Sequence, residues 1–310
     1  MTRVFIDGKV GTTGLALEER LKTRRDIKIL SLPETERKDP AARKQAMEQA
    51  HITFLCLPDE PARQAVALAE GTNTTVIDAS TAHRTQPGWA YGFPELGAAF
   101  RRNIALGKRI AVPGCHASGF VALVKPLVEA GFLAKGAQLH CFSLTGYTGG
   151  GKGMIADYEH ERVPQDLLSA PRQYALVQTH KHLPEMCAAT GLLNAPVFCP
   201  VVADFDRGME VTVTLHQSQV QNTNMNTIQR CYHEFYADAK LITCTNDNEN
   251  GFLSANKMRM KDSMALSVYG NDDRVLLVAR FDNLGKGASG AAVQCMNIAL
   301  GLDEATGLSI

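Results

Sequence analysis

Val4-Phe5-Ile6-Asp7-Gly8-Lys9-Val10-Gly11-Thr12-Thr13-Gly14 stands near the start of the chain, and Leu15, Leu17 and Leu21 follow it in a helical pattern. A short β-branched and aromatic run, a glycine-rich turn and a helix form the unit in which backbone N–H groups at a helix start hold a pyrophosphate. The spacing is GxxGxxG and departs from GxGxxG, so the strand before and the helix after carry the reading more than the glycines do. Gly8, Gly11 and Gly14, with Thr12 and Thr13, are therefore the candidate dinucleotide-binding residues, and a plain tight turn is the competing account.

Alternation continues beyond this turn. Ile27 to Ser31 reads as a strand, 41–50 as a helix, Ile52 to Leu57 as a buried strand, 60–70 as a helix, and Thr75 to Asp78 as another strand. Repeated βα units of this length predict a Rossmann-type, doubly wound parallel sheet that takes ligands at the carboxyl ends of its strands. The second strand ends in Ser31, where a carboxylate would bond a free ribose hydroxyl; Glu34 comes later, and Arg37 and Lys38 follow. Cations suit a 2′-phosphate, so Ser31 and Arg37 favour NADP(H) over NAD, against the alternative of a solvated basic loop. At a later strand end lies Asp78-Ala79-Ser80-Thr81-Ala82-His83-Arg84, in which Arg84 is a candidate clamp for an anionic substrate. Trp89 to Leu96, aromatic and holding Pro94, is expected to be a rigid loop outside regular structure.

The sheet's last strand, Ile110-Ala111-Val112, runs into Pro113-Gly114-Cys115-His116-Ala117-Ser118-Gly119 and the apolar stretch Phe120 to Val124. A thiol at such a helix start faces unpaired N–H groups and the positive end of the dipole, which favour thiolate and make Cys115 a candidate nucleophile. Most free cysteines are small buried hydrophobes, and it is the proline, the glycines and the following run that set this one apart. The boundary of the nucleotide domain, residues 1–114, falls here.

Residues 115–284 have a different pattern. Leu139 to Leu144, Pro196 to Val202, Met209 to His216, and the pair Ser263 to Tyr269 and Arg274 to Phe281 around Gly270-Asn271-Asp272-Asp273 predict a mostly antiparallel, half-exposed sheet. Met225 to Tyr236 is the expected covering helix. Gly146 to Gly153 nearly matches a phosphate-cradling P-loop, but Gly153 stands where a Ser or Thr must bind magnesium. A flexible loop closing over substrate is expected there. His180-Lys181-His182-Leu183-Pro184-Glu185 supplies two imidazoles whose ordinary pKa suits acid–base work, with a helix expected from Pro184. His-x-His with a nearby Glu could also ligate zinc, yet no CxxC or HExxH accompanies it, so no metal is expected. His83, His116 and His160 are further candidates; His116 is disfavoured because it should point away once the chain turns into a helix. In residues 285–310, Gly285 to Gly290 opens a helix running to about Leu300, expected to return to the nucleotide domain and complete the cofactor site at Gly287.

Composition bounds the partners. With 310 residues two domains are expected, and 32 basic residues balance 32 acidic ones, which leaves no footprint for nucleic acid or an anionic membrane. The N-terminus meets Asp7 too early for a signal peptide, and the eight cysteines have no paired spacing, so a soluble, cytosolic protein with reduced thiols is expected.

Gly8-x-x-Gly11-x-x-Gly14, Tyr91 to Leu96, Pro113-Gly114-Cys115, His180 to Glu185 and Asn283 to Gly290 together resemble the N-acetyl-gamma-glutamyl-phosphate reductases, in their shorter second type, along essentially the whole chain. The resemblance implies a fold shared with aspartate-semialdehyde and glyceraldehyde-phosphate dehydrogenases, with an α+β catalytic domain beside the nucleotide domain. It implies NADPH-dependent reduction of N-acetyl-glutamyl phosphate to the semialdehyde in arginine biosynthesis. Cys115 is then the nucleophile, His180 or His182 the acid/base, and Arg84 and Glu185 the substrate contacts, in a homodimer or homotetramer. The longer relatives carry a loop like Ser-Ala-Asp-Phe-Arg where Ser80-Thr81-Ala82-His83-Arg84 stands here, so Arg84 is the matched position. An aspartate-semialdehyde dehydrogenase-type enzyme and a non-catalytic dinucleotide-binding regulator are the alternatives.

Overall fold

The computed structural model describes residues 1–159, 163–221, 223–271 and 273–310, so His160 and Asp272 lie outside the described residues. Two compact units emerge: residues 1–113 with 288–308, and residues 114–287 with 309–310.

In the first unit β1 (Thr2–Asp7), α1 (Thr12–Lys22), β2 (Ile27–Leu30), α2 (Pro40–Gln49), β3 (Ile52–Leu55), α3 (Asp59–Leu68), β4 (Thr75–Asp78), β5 (Ala90–Tyr91), α4 (Ala98–Leu106) and β6 (Arg109–Ala111) follow one another. The sheet is parallel throughout, in the order β2-β1-β3-β4-β6-β5. Every residue of β3 and β4 is buried, as a parallel strand covered on both faces requires. On one face Val4, Ile6, Phe54 and Ile77 pack with Leu17 and Leu21 of α1 and with Ala292, Val293 and Met296 from the end of the chain. On the other, Phe5, Leu55 and Val76 pack with Met47 of α2 and Ala65 of α3.

One expectation needs correction here. Residues 89–96 are not wholly irregular: Ala90 and Tyr91 pair with Ile110 and Ala111 as a sheet edge, and Pro94–Leu96 form a 3-10 turn. Helix α4, just beyond, has a single buried residue, Ile104, and so left little apolar periodicity to read.

The second unit holds α5 (Cys115–Glu129), β7 (His140–Gly146), α6 (Gly151–Glu159), α7 (Gln165–Leu168), β8 (Arg172–Gln173), α8 (Leu183–Thr190), β9 (Val197–Ala203), β10 (Met209–His216), α9 (Met225–Phe235), β11 (Ile242–Cys244), β12 (Met264–Gly270) and β13 (Arg274–Phe281). Its sheet runs β11-β12-β13-β10-β7-β9-β8. The antiparallel expectation holds for β12, β13, β10 and β7. Strands β7 and β9 are parallel, because α6, α7 and α8 lie between them and provide the crossover that parallel neighbours need. The expected loop over Gly146 to Gly153 is a 3-10 turn, Tyr147–Gly150, that leads directly into α6; Gly151 at φ 72° makes the break, and Tyr158 stacks on Tyr147 at 4.9 Å. Glycine content had hidden that helix. The chain ends through a π-helical turn, Gly285–Ser289, and α10 (Gly290–Ala299), which packs within the first unit.

Candidate active site

The thiol comes first. Gly114, extended at φ −73° and ψ 145°, is the N-cap of α5, and Cys115 is its first residue, half-buried. Helix α5 is buried on almost every side, which explains its apolar run and fixes its start rigidly. Gly119 lets it approach the sheet, since a Cβ there would lie 2.5 Å from Val211 Cγ2. Pro126 has no N–H for the Ala122 carbonyl four residues back, and the Tyr236 hydroxyl donates to that oxygen instead, at 2.8 Å. Gly287, expected at the cofactor, lies against Cys115: a Cβ there would sit 3.0 Å from Cys115 Cβ.

Helix α8 packs against α5 and brings the predicted pair with it. Glu185, 2% exposed, accepts a hydrogen bond from Gly114 N through Oε1 at 2.8 Å. The structure thus gives this carboxylate a task the sequence did not indicate, bracing the turn before Cys115. His182 is the buried N-cap of α8, while His180 is half-buried, and their rings lie 4.7 Å apart. The His182 backbone N–H donates to His180 Nδ1 at 3.2 Å, which leaves Nε2 as the proton-bearing nitrogen of a neutral His180.

His116 does not point away. Its ring centroid is 5.6 Å from both His180 and His182 and 5.3 Å from Phe198, and burial with the nearby His180 charge pushes its pKa down to about 3. Nδ1 is 2.7 Å from Ser143 Oγ and Nε2 is 2.7 Å from the Tyr174 hydroxyl. Neither Ser143 nor Tyr174 was singled out from the sequence. Tyr174 follows a two-residue strand and belongs to no motif, and the alternation that buries Ser143 in β7 speaks only of packing. Among the described residues, no group of three or more His, Cys, Asp or Glu is placed to hold a metal ion.

The dinucleotide cradle lies in the first unit. Gly8 has φ +85°, and a Cβ there would be 2.4 Å from the Cys56 carbonyl oxygen; at Gly14 it would be 2.6 Å from that of Gly8. Only glycine permits this turn. Gly11 caps α1 without a side-chain bond, so the N–H groups of Thr12 and Thr13 open the helix. Asp7, just before the turn, is held by Arg43 through Nε and Nη2 at 2.9 and 2.8 Å, and burial raises its pKa despite that partner. A cavity of about 540 Å³ adjoins the turn, lined by Gly8, Lys9, Ser31, Glu34, Arg37 and Lys38 beside apolar Leu30, Leu32 and Leu57. Arg37 Nε is buried there with no hydrogen-bond partner, an orphan donor suited to a phosphate. The residues therefore fit a phosphorylated dinucleotide.

Arg84 turns its guanidinium onto its own unit: Nε donates to the Val112 carbonyl at 2.9 Å and Nη2 to that of Ala79 at 3.1 Å. His83 pairs with buried Asp78 at 2.6 Å and stacks on Trp89, and Thr81 bonds Asp59, so this strand-end loop is braced from within.

A candidate dinucleotide cradle and a thiol at a helix start, each in its own unit, point to the class of dinucleotide-dependent oxidoreductases. Residues 3–103 match the family model described as semialdehyde dehydrogenase, NAD binding domain, and residues 115–283 the one described as semialdehyde dehydrogenase, dimerisation domain. Proteins named N-acetyl-gamma-glutamyl-phosphate reductase are 42% identical in Sinorhizobium medicae, over 96% of this chain and 98% of that protein, and 43% identical in Rhizobium leguminosarum bv. trifolii, over the same shares. The solved aspartate semialdehyde dehydrogenase II of Vibrio cholerae in complex with ASA shares the fold at a TM-score of 0.72 and 15% identity, covering 97% of this chain and 98% of that one. The aspartate semialdehyde dehydrogenase of Candida albicans with NADP gives 0.70, also at 15% identity, over 96% and 98%. The chain belongs to the semialdehyde dehydrogenase family and, within it, to the N-acetyl-gamma-glutamyl-phosphate reductases.

Proposed function

We infer that this protein reduces N-acetyl-gamma-glutamyl phosphate to the corresponding semialdehyde with release of phosphate, using NADPH. The observation that carries the reading is Cys115 as first residue of a rigid buried helix whose N-cap is tied by Glu185 to the helix that His182 caps. The Cys115 thiolate attacks the acyl carbon, the bond to the phosphate oxygen breaks, and a thioester remains on the sulfur. NADPH, when bound, supplies the hydride that reduces this acyl group. His180, through its Nε2–H, donates a hydrogen bond to the oxygen as it takes on negative charge and stabilises the hemithioacetal anion, which collapses to free aldehyde and Cys115 thiolate. Arg37 and Ser31 would hold the 2′-phosphate of bound NADPH, and the Gly8 to Gly14 turn its pyrophosphate.

The active species is a homo-oligomer in the cytosol. Phe142, Val197 and Leu276 are exposed by 44%, 49% and 41% on the sheet face opposite α5. Registered as they are across β9, β7, β10 and β13, they form an apolar ladder for a second copy. A reverse assay, semialdehyde plus phosphate plus NADP, tests the function. Phosphate-dependent NADP reduction is expected with the N-acetylated semialdehyde and not with aspartate semialdehyde; no reduction with either, or preference for the latter, rejects it.

A further inference from the structure

One buried imidazole that the reaction above leaves unused is His116, next in sequence to the nucleophile. A neutral imidazole has one donor and one acceptor nitrogen, and both here have partners: Ser143 Oγ on Nδ1 and the Tyr174 hydroxyl on Nε2, each at 2.7 Å. Ser143 is fully buried in β7, so it is a fixed anchor. The Tyr174 ring meets His116 edge-on at 6.1 Å and His180 at 6.2 Å. Burial first and a Cys115 thiolate second raise the phenol's pKa, so the hydroxyl keeps its proton within electrostatic reach of that sulfur.

Resting on the function inferred above, we propose that His116 is a positioning residue: accepting from Ser143 at Nδ1 and donating from Nε2 to the Tyr174 oxygen, it leaves the phenol proton for the negative charge on Cys115. The direction of the chain matters. Were the Tyr174 hydroxyl to donate to Nε2, its proton would be spent inside the network and the thiolate would gain nothing from it. A charged His116 would donate at both nitrogens and need an acceptor at each, which would reverse the Ser143 bond; the low pKa that burial and His180 impose prevents this near neutrality. The groups that face His116 are Ser143, Tyr174, His180, His182 and Phe198.

The test reads the thiol directly and needs no substrate, so its failure and that of the inferred reaction are distinguishable. The rate of Cys115 alkylation by iodoacetamide, followed by mass spectrometry on that peptide across pH, gives the apparent thiol pKa of the full chain. Tyr174→Phe is expected to raise that value by about half a unit or more, since one donor to the thiolate is lost. His116→Ala is expected to raise it equally, the double variant no further, and His116→Gln, whose amide reaches toward the same hydroxyl, to restore most of the shift. In turnover, Tyr174→Phe should lower kcat and leave KM within about twofold. If Tyr174→Phe leaves the alkylation profile unchanged, or if the His116→Ala and Tyr174→Phe shifts add in the double variant, His116 does not act through the phenol and the proposal is wrong.

Discussion

At the scale of single residues, packing and protonation decide what surrounds the thiol. His116 has a folded pKa of about 3 against an ordinary 6.5, so on acidification the unfolded chain takes up a proton before the folded one does. Its contribution to stability is complete above 6.5 and is lost as pH falls from 6.5 toward 3. Between neutrality and about pH 5 that loss amounts to about 2 kcal/mol. Urea midpoints should therefore fall more steeply over this interval in the natural protein than in His116→Gln, and equal slopes would show that this imidazole charges freely when folded. Gly119 is a purely steric case. Alanine there would press on Val211 and on Phe281 Cε1 at 2.9 Å, and a loss of about 1–3 kcal/mol is expected from thermal or urea unfolding.

Among elements, α5 and the β1–α1 turn do most of the positioning. Helix α5 tolerates Pro126 in its interior because Tyr236, the C-cap of α9, donates its hydroxyl to the Ala122 carbonyl, and Tyr232 of α9 adds a bond to that of Leu123 at 2.6 Å. Tyr236→Phe leaves a buried carbonyl unpaired, and we expect it to lower unfolding free energy by about 1–3 kcal/mol with kcat nearly unchanged. At the first turn, Gly8→Ala should abolish NADPH binding, as fluorescence titration would show, because a positive φ and the Cys56 carbonyl both exclude a Cβ. Arg37→Ala should cut the preference for NADPH over NADH by about tenfold or more, and unchanged selectivity would remove Arg37 from the 2′-phosphate site. These elements were legible in the sequence to very different degrees. The β1 turn and the start of α5 could be read because glycine, proline and an apolar run mark a strand-to-helix junction by local stereochemistry alone. Helix α6 could not, since its glycines mimic a loop and the Tyr147–Tyr158 stack joins residues that no pattern relates. Nor could the Ser143, His116 and Tyr174 contacts: they come from three separate stretches of the chain, and only the folded sheet brings them together. His116 was misjudged for the same reason, because helix phase was weighed without knowing that α8 and β9 fill the space beside it.

For the whole molecule, the open face of the second sheet and the covalent chemistry are the properties to test. Phe142→Glu with Leu276→Glu should shift sedimentation from oligomer to a smaller species, since charge on the apolar ladder opposes association; an unchanged profile would place the subunit contact elsewhere. The two-unit architecture follows from the change of pattern at Gly114, where βα alternation gives way to strands that expose one face. The return of residues 288–308 to the first unit has its cause in small residues that let α10 lie flat on the parallel sheet. The central claim is that Cys115 carries the acyl group. Mixing the protein with N-acetyl-gamma-glutamyl phosphate in the absence of NADPH, quenching in acid and measuring the mass of the Cys115 peptide tests it most directly. An acyl adduct on Cys115 that forms with release of phosphate and vanishes on addition of NADPH is predicted; turnover of the same preparation with Cys115 unmodified, or undiminished turnover by Cys115→Ala, would contradict it.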